Sequence, residues 1–444
     1  MKKKAISLMF LYCIFYLLQS CASYGVISNK PITVEPKKSY SMHKNINLQK
    51  DRDLGVFLAF SGGGSRASAL AYGVLKALKD TEIGGNNLLE QVDSISSVSG
   101  GSFTAAYYGL YGDKIFSDYK DQFLSRDIAG ELFTGLFNPL LWFSSQGRTE
   151  MAVRHYEKDI FRGATFNDLH NNKNRPMIFI NATDLVSGSR FTFTQEYFDL
   201  LCSDLNSFPI AKAVTASSAV PVVFNPVVLK NYDGCENSTS DWLQSRVINE
   251  SDDLLIKRSI KGLKSYSNKK EKPYVHLVDG GITDNLGLQI IYESIGIVGG
   301  ISNYYKYYQT KPLDRFLIIS VNASAESNSD ISKSNKIPSL NSTVNAVTDT
   351  QIHRTNEYTL ELLKNSFRKW GGELSPNKDT QPQVFFVEIS FESIKENKLR
   401  LFFNEIPTTF YLSDEQIELL TNAGYDLLIN NPVFQSFLAS YLDQ

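Results

Sequence analysis

The stretch Gly55-Val56-Phe57-Leu58-Ala59-Phe60 is apolar throughout and ends at a glycine run, the pattern of a strand buried on both faces of a sheet. Apolar positions then recur at helical spacing through Ala69, Tyr72, Leu75 and Leu78, which predicts a helix over 65–79. Val92 to Val98 repeats the strand pattern and Ser102 to Tyr111 the helical one. Two strand–turn–helix units in succession point to an α/β fold with a parallel sheet. Further strands are expected at Met177–Ala182, Arg190–Thr194, Tyr274–Val278, Phe316–Val321 and Val384–Ile389. Long helices are expected at Thr343–Lys369 and Ser413–Leu428, the second opening with Ser413-Asp414-Glu415-Gln416, which fits a capping box.

The two ends of this pattern differ. Lys2 to Lys4 precede a short apolar run, Ala5 to Leu18, too short for an ordinary membrane-spanning helix of about 20 apolar residues. Leu18-Gln19-Ser20-Cys21 follows and resembles a bacterial lipobox. Residues 1–20 are therefore expected to be a lipoprotein signal peptide, with cleavage before Cys21 and a lipid, including a palmitate-type acyl chain, on its thiol. The alternatives are an ordinary secretory signal or an uncleaved anchor. Ala22 after the cysteine favours the outer membrane of a bacterial envelope, if the cell has one. Residues 21–50 are polar, contain Pro31 and Pro36, and read as a flexible tether; residues 51–444 read as one body, with a charged surface insertion around 237–272.

Composition narrows the classes. With 42% hydrophobic and 21% charged residues over 444 positions, the chain is long and apolar enough for a sizeable core. Its net charge is −2, and losing Lys2 to Lys4 would make it −5, so there is no electrostatic footprint for nucleic acid. Cys202 and Cys235 remain once Cys13 and Cys21 are assigned to the leader. In an oxidising compartment they are expected to pair; two separate thiols are the alternative. No CxxC pair or His/Cys cluster suggests a metal site.

The candidate chemistry lies at three strand ends. Ser99, within Ser97-Val98-Ser99-Gly100-Gly101, sits on a predicted sharp strand-to-helix turn, where small neighbours let backbones crowd and a hydroxyl project. The usual elbow has glycine where Ser97 stands. Gly62, Gly63 and Gly64 join an earlier strand to its helix and suit an oxyanion or a phosphate equally. The run matches neither G-x-x-x-x-G-K-[ST] nor a clean G-x-G-x-x-G, because Ala67 holds the last position. Arg66 either contacts a lipid phosphate or covers the helix start. Asp279, at the end of an apolar run taken as a parallel strand and followed by Gly280 and Gly281, is positioned to act as a base or simply to cap the turn.

In combination and order, Ser61-Gly62-Gly63-Gly64-Ser65-Arg66-Ala67, Val98-Ser99-Gly100-Gly101 and Asp279-Gly280-Gly281-Ile282-Thr283-Asp284-Asn285 resemble the patatin-like phospholipases. Ala216 to Phe224 is similar to a block that the family places between nucleophile and base. The resemblance runs from about Leu54 to Leu288. It implies a three-layer fold with a central, mostly parallel sheet flanked by helices. It also implies a Ser–Asp dyad: Ser99 as nucleophile, Asp279 as general base, and amides around Gly62, Gly63 and Gly64 holding the oxyanion, with no metal or cofactor required. The substrate implied is a phospholipid or lysophospholipid; an acyltransferase, a triacylglycerol lipase, a non-catalytic lipid-binding lipoprotein and a nucleotide-binding protein are the alternatives.

Two further expectations bear on this. His353 is the only histidine after Asp279 and falls inside a predicted helix, so a packing role is expected rather than a triad base. Leu132–Phe137 and Leu140–Phe143 would either line an acyl slot or pack as ordinary core, and Trp242–Leu263 would be a membrane-facing helix or a solvated insertion.

Overall fold

The computed structural model describes residues 25–32, 39–43, 53–128, 130, 147–221, 223–235, 243, 248, 253–325, 330–375 and 381–442. The signal peptide, Cys21, Leu132–Phe143 and Trp242 lie outside these residues.

One eight-stranded sheet organises the body. Its strands are β1 (Leu54–Phe60), β2 (Ser94–Val98), β3 (Met177–Asp184), β4 (Ser189–Thr192), β5 (Val227–Lys230), β6 (Tyr274–Asp279), β7 (Arg315–Asn322) and β8 (Gln383–Ser390). The spatial order is β8-β7-β1-β2-β3-β6-β5, with β4 also paired to β3. The first five in that order are mutually parallel; β1, β3 and β7 are largely apolar and buried, whereas β2 carries the buried hydroxyls of Ser96 and Ser97. The main helices are α1 (Gly64–Asp80), α2 (Gly100–Tyr111), α3 (Ile210–Ser217), α4 (Leu254–Lys264), α5 (Gln289–Ile297), α6 (Ile301–Tyr308), α7 (Leu340–Leu374) and α8 (Asp414–Ile429). This is the expected three-layer α/β architecture, and α8 carries the Ser413/Gln416 capping box. Helices α1 and α8 cross with backbones nearly touching: a Cβ on Gly73 would run into the Thr421 carbonyl, and one on Gly424 into that of Leu70.

Strand β6 departs from expectation. It runs antiparallel to both β3 and β5. Strand β2 covers one side of β3 as far as Asn181, opposite Val98; β6 takes over the same side from Ala182, opposite Asp279. β4 pairs along the other side from Asn181 to Asp184. Strands β2 and β6 therefore meet end to end, from opposite directions.

Two described pieces of the expected tether are docked on the body. Lys30–Pro31 pairs antiparallel with Ser203–Asp204. Tyr40 is buried against Phe166; its hydroxyl donates to the Ile178 carbonyl at 3.2 Å and accepts from that residue's N–H at 2.6 Å. An aromatic ring with a polar tip anchors well where both halves are satisfied. Part of the expected surface insertion is also integral: α4, capped by Asp253, buries Ile256, Ile260 and Leu263. Its apolar face is thus turned to the core, neither solvated nor left for a membrane. Cys202 and Cys235 form a disulfide.

Candidate active site

The glycine run after β1 and the serine turn after β2 pack against each other. Gly63 and Gly64 have φ of 138° and 60°, values that L side chains rarely adopt, and α1 begins there. A Cβ on Gly100 would strike the Gly64 backbone, so the second turn also needs its glycine. Gly101 N–H donates to the Ser61 carbonyl at 3.2 Å and closes the contact.

Ser99 itself takes φ 50° and ψ −122°, a strained backbone for a residue with a side chain. It caps α2, whose N-terminus adds positive potential beside the hydroxyl. Ser97, in place of the usual elbow glycine, does not obstruct the turn. Its buried hydroxyl donates to the Phe179 carbonyl of β3 at 2.9 Å.

The head-on meeting of β2 and β6 brings Asp279 to Ser99. Ser99 Oγ donates to Asp279 Oδ2 at 2.9 Å, and Gly281 N–H donates to Oδ1 at 2.8 Å. Both side chains are buried, at 5% and 8% exposure. Burial pushes the Asp279 carboxyl from 3.8 up to about 6, and the two hydrogen bonds oppose the shift. It is therefore largely ionised at neutral pH yet basic enough to accept a proton.

Ser217 stands at the end of α3 and carries no sequence signature of its own. Its hydroxyl accepts from Ser99 N–H at 2.8 Å and donates to the Asn181 carbonyl at 2.6 Å. Its own carbonyl accepts from Gly280 N–H at 3.0 Å. One serine thus fastens both the Ser99 turn and the Asp279 turn. The only sequence signal was its place in the Ala216–Phe224 block. Thr183 adds a second fastening, donating to the Asp279 carbonyl at 2.8 Å.

The three glycines are not equivalent. Gly62 N–H donates to the Asn285 carbonyl at 3.0 Å, so it is not available to an oxyanion. The amides of Gly63 and Gly64 donate to no group among the described residues. Arg66 does not reach out for a phosphate. It is buried; Nε donates to the Ala323 carbonyl at 2.9 Å, Nη1 to the Ile406 carbonyl, and Nη2 to Thr408 Oγ1 at 3.4 Å. Burial lowers its pKa to about 10, opposed by Asp349. It covers the start of α1 and ties the helix to two loops.

His353 lies in α7 with Nε2 at 2.7 Å from the Ala325 carbonyl, and makes no hydrogen bond to Ser99 or Asp279. Among the described residues no group of three metal-ligating side chains comes together, and no helix is long and apolar enough to cross a membrane.

The sequence from 58 to 292 matches the family model for patatin-like phospholipases. No curated protein matches the chain. Among solved structures, the chain is similar to human GIVD cytosolic phospholipase A2, at 14% identity and a TM-score of 0.43, over 90% of this chain and 65% of that one. It is also similar to VipD from Legionella pneumophila, at 12% identity and a TM-score of 0.32, over 96% of this chain and 73% of that one. The family match covers more than half of the sequence and takes in all three glycine-rich turns, and the chain belongs to the patatin-like phospholipase family.

Proposed function

We propose that the protein hydrolyses carboxylic ester bonds of phospholipids or lysophospholipids through a Ser99–Asp279 dyad. The observation that carries this reading is the buried 2.9 Å hydrogen bond from Ser99 Oγ to Asp279 Oδ2. Asp279 takes the Ser99 proton as Oγ attacks the ester carbonyl. The carbonyl electrons move onto oxygen, and the N–H groups of Gly63 and Gly64 donate to that oxyanion. Collapse expels the alcohol with the proton from Asp279 and leaves an acyl-serine. Water, deprotonated by the same carboxylate, then attacks the acyl carbon, and the fatty acid leaves as Asp279 returns that proton to Ser99 Oγ. Loss of one oxyanion donor costs about 2.7–4 kcal/mol in well-studied hydrolases, so the glycine turn carries a large share of the barrier reduction.

The N-terminal pattern supports attachment to a bacterial envelope membrane by a lipid on Cys21, which would hold the enzyme beside its substrate. The test is turnover of a defined phospholipid panel by purified protein and its Ser99→Ala variant, with a fluorophosphonate adduct mapped in parallel. Turnover lost in the variant and an adduct on Ser99 are expected. A folded protein showing neither would leave a lipid-binding lipoprotein in place of an enzyme.

A further inference from the structure

An apolar cavity of about 270 Å³ opens at the edge of the sheet opposite Ser99. The starts of β1, β2 and β7 form its floor; α5, α6 and the last turns of α7 form its walls. Ser94, on this rim, and Ser99 are separated by the length of β2, about 16 Å at 3.3 Å per residue. The cavity is therefore not the place where the ester would react. Phe57, Ile291, Phe316, Ile318, Phe367 and Trp370 dominate its lining.

Its polar side chains are few: Tyr304, Tyr305, Thr310 and Lys311 lie on one segment, with Ser294 on α5 and Asp93 and Ser94 at the sheet rim. Tyr304 and Tyr305 line the cavity, and neither hydroxyl has a hydrogen-bond partner among the described residues. Burial raises both phenols, Tyr305 to about 12, so both remain neutral donors. Lys311, exposed and in the same lining, stands at the mouth. Asp93 also borders the cavity, with Oδ2 already accepting Val56 N–H at 2.8 Å. Drug-sized ligands occupy pockets of roughly 300–1,000 Å³, so this one has room for a single chain and not for a two-tailed lipid.

We propose that this cavity binds one long-chain fatty carboxylate, its tail between the sheet and α7 and its headgroup received by Lys311 with the Tyr304 and Tyr305 hydroxyls. The assignment stands apart from the hydrolase reading and would hold in a protein without turnover. If that reading also holds, the ligand is of the same class as the released acid, bound away from the reacting serine.

Trp370 in the wall supplies the probe. The full-length protein is titrated with brominated hexadecanoate below its micellar concentration while tryptophan emission is followed. Saturable quenching is expected, and it should disappear in Trp370→Phe. Lys311→Glu, an exposed change that leaves the melting curve in place, should weaken binding about tenfold. Hexadecanol should compete at least about tenfold less well than hexadecanoate, by the same reasoning. Quenching that is absent, or that survives in Trp370→Phe, overturns the site. Equal affinity in Lys311→Glu, or equal competition by the alcohol, overturns the carboxylate headgroup.

Discussion

The Ser99 backbone N–H donates to Ser217 Oγ at 2.8 Å across a chain separation of 118 residues. The strained turn is thereby held by a helix end rather than by its own neighbours. Ser217→Ala removes the acceptor and leaves a buried N–H unpaired, a cost of about 1–3 kcal/mol. A lower melting temperature is expected, together with a fall in kcat on the order of tenfold or more, because small displacements of a nucleophile are expensive. A variant that melts earlier but keeps full kcat would show Ser217 to be structural only.

The raised Asp279 carboxyl gives a pH signature. Activity should rise with pH through about 6, as the base ionises. Stability should move the other way. The folded protein holds this proton up to about pH 6 and the unfolded chain only to 3.8, so Asp279 weakens the fold as pH climbs through that window. The full effect is about 3 kcal/mol, as an order of magnitude. Asp279→Asn should thus lose nearly all activity and yet unfold at higher denaturant concentration than wild type at pH 7–8. Chemical denaturation at pH 4 and pH 8, with the variants compared at each, checks the sign.

His353 hydrogen-bonds to the Ala325 carbonyl at 2.7 Å and not to either member of the dyad. His353→Ala should retain esterase turnover within about threefold, since no proton passes through the ring. Loss comparable to that in Ser99→Ala would call for a triad instead.

Arg66 holds two carbonyls and a hydroxyl from a buried position. Arg66→Ala should destabilise the protein by about 2–4 kcal/mol, given the strength of hydrogen bonds from charged donors. Any drop in turnover should be equal for a phospholipid and an uncharged ester of the same chain length. A loss confined to the phospholipid would restore a phosphate contact.

Much of the site was readable before the fold was known because each part needed a residue type that little else explains: a serine among small neighbours, a triple glycine, an aspartate before two glycines. What escaped was relational. The apolar run Tyr274–Val278 reads alike in either direction, and only its partners make β6 antiparallel. Gly62 belongs to the glycine run, but its amide is taken by Asn285, far along the chain. A cation at a helix start suggests an anion site, whereas Arg66 serves protein carbonyls. In the polar N-terminal stretch Tyr40 is a docking point rather than free chain, and its ring alone does not say where it packs.

That docking point and the pairing of Lys30–Pro31 would change the mechanics of the proposed lipid anchoring at Cys21. Were the leash free as far as residue 50, the catalytic body could swing about 100 Å from a lipid on Cys21; with Lys30 fixed, the stretch spans about 30 Å at most. An enzyme anchored in that way would sample only the patch of bilayer beneath it. Its orientation would then be set by the face that carries Lys30, and its supply of substrate by lateral diffusion of lipids rather than by its own excursions.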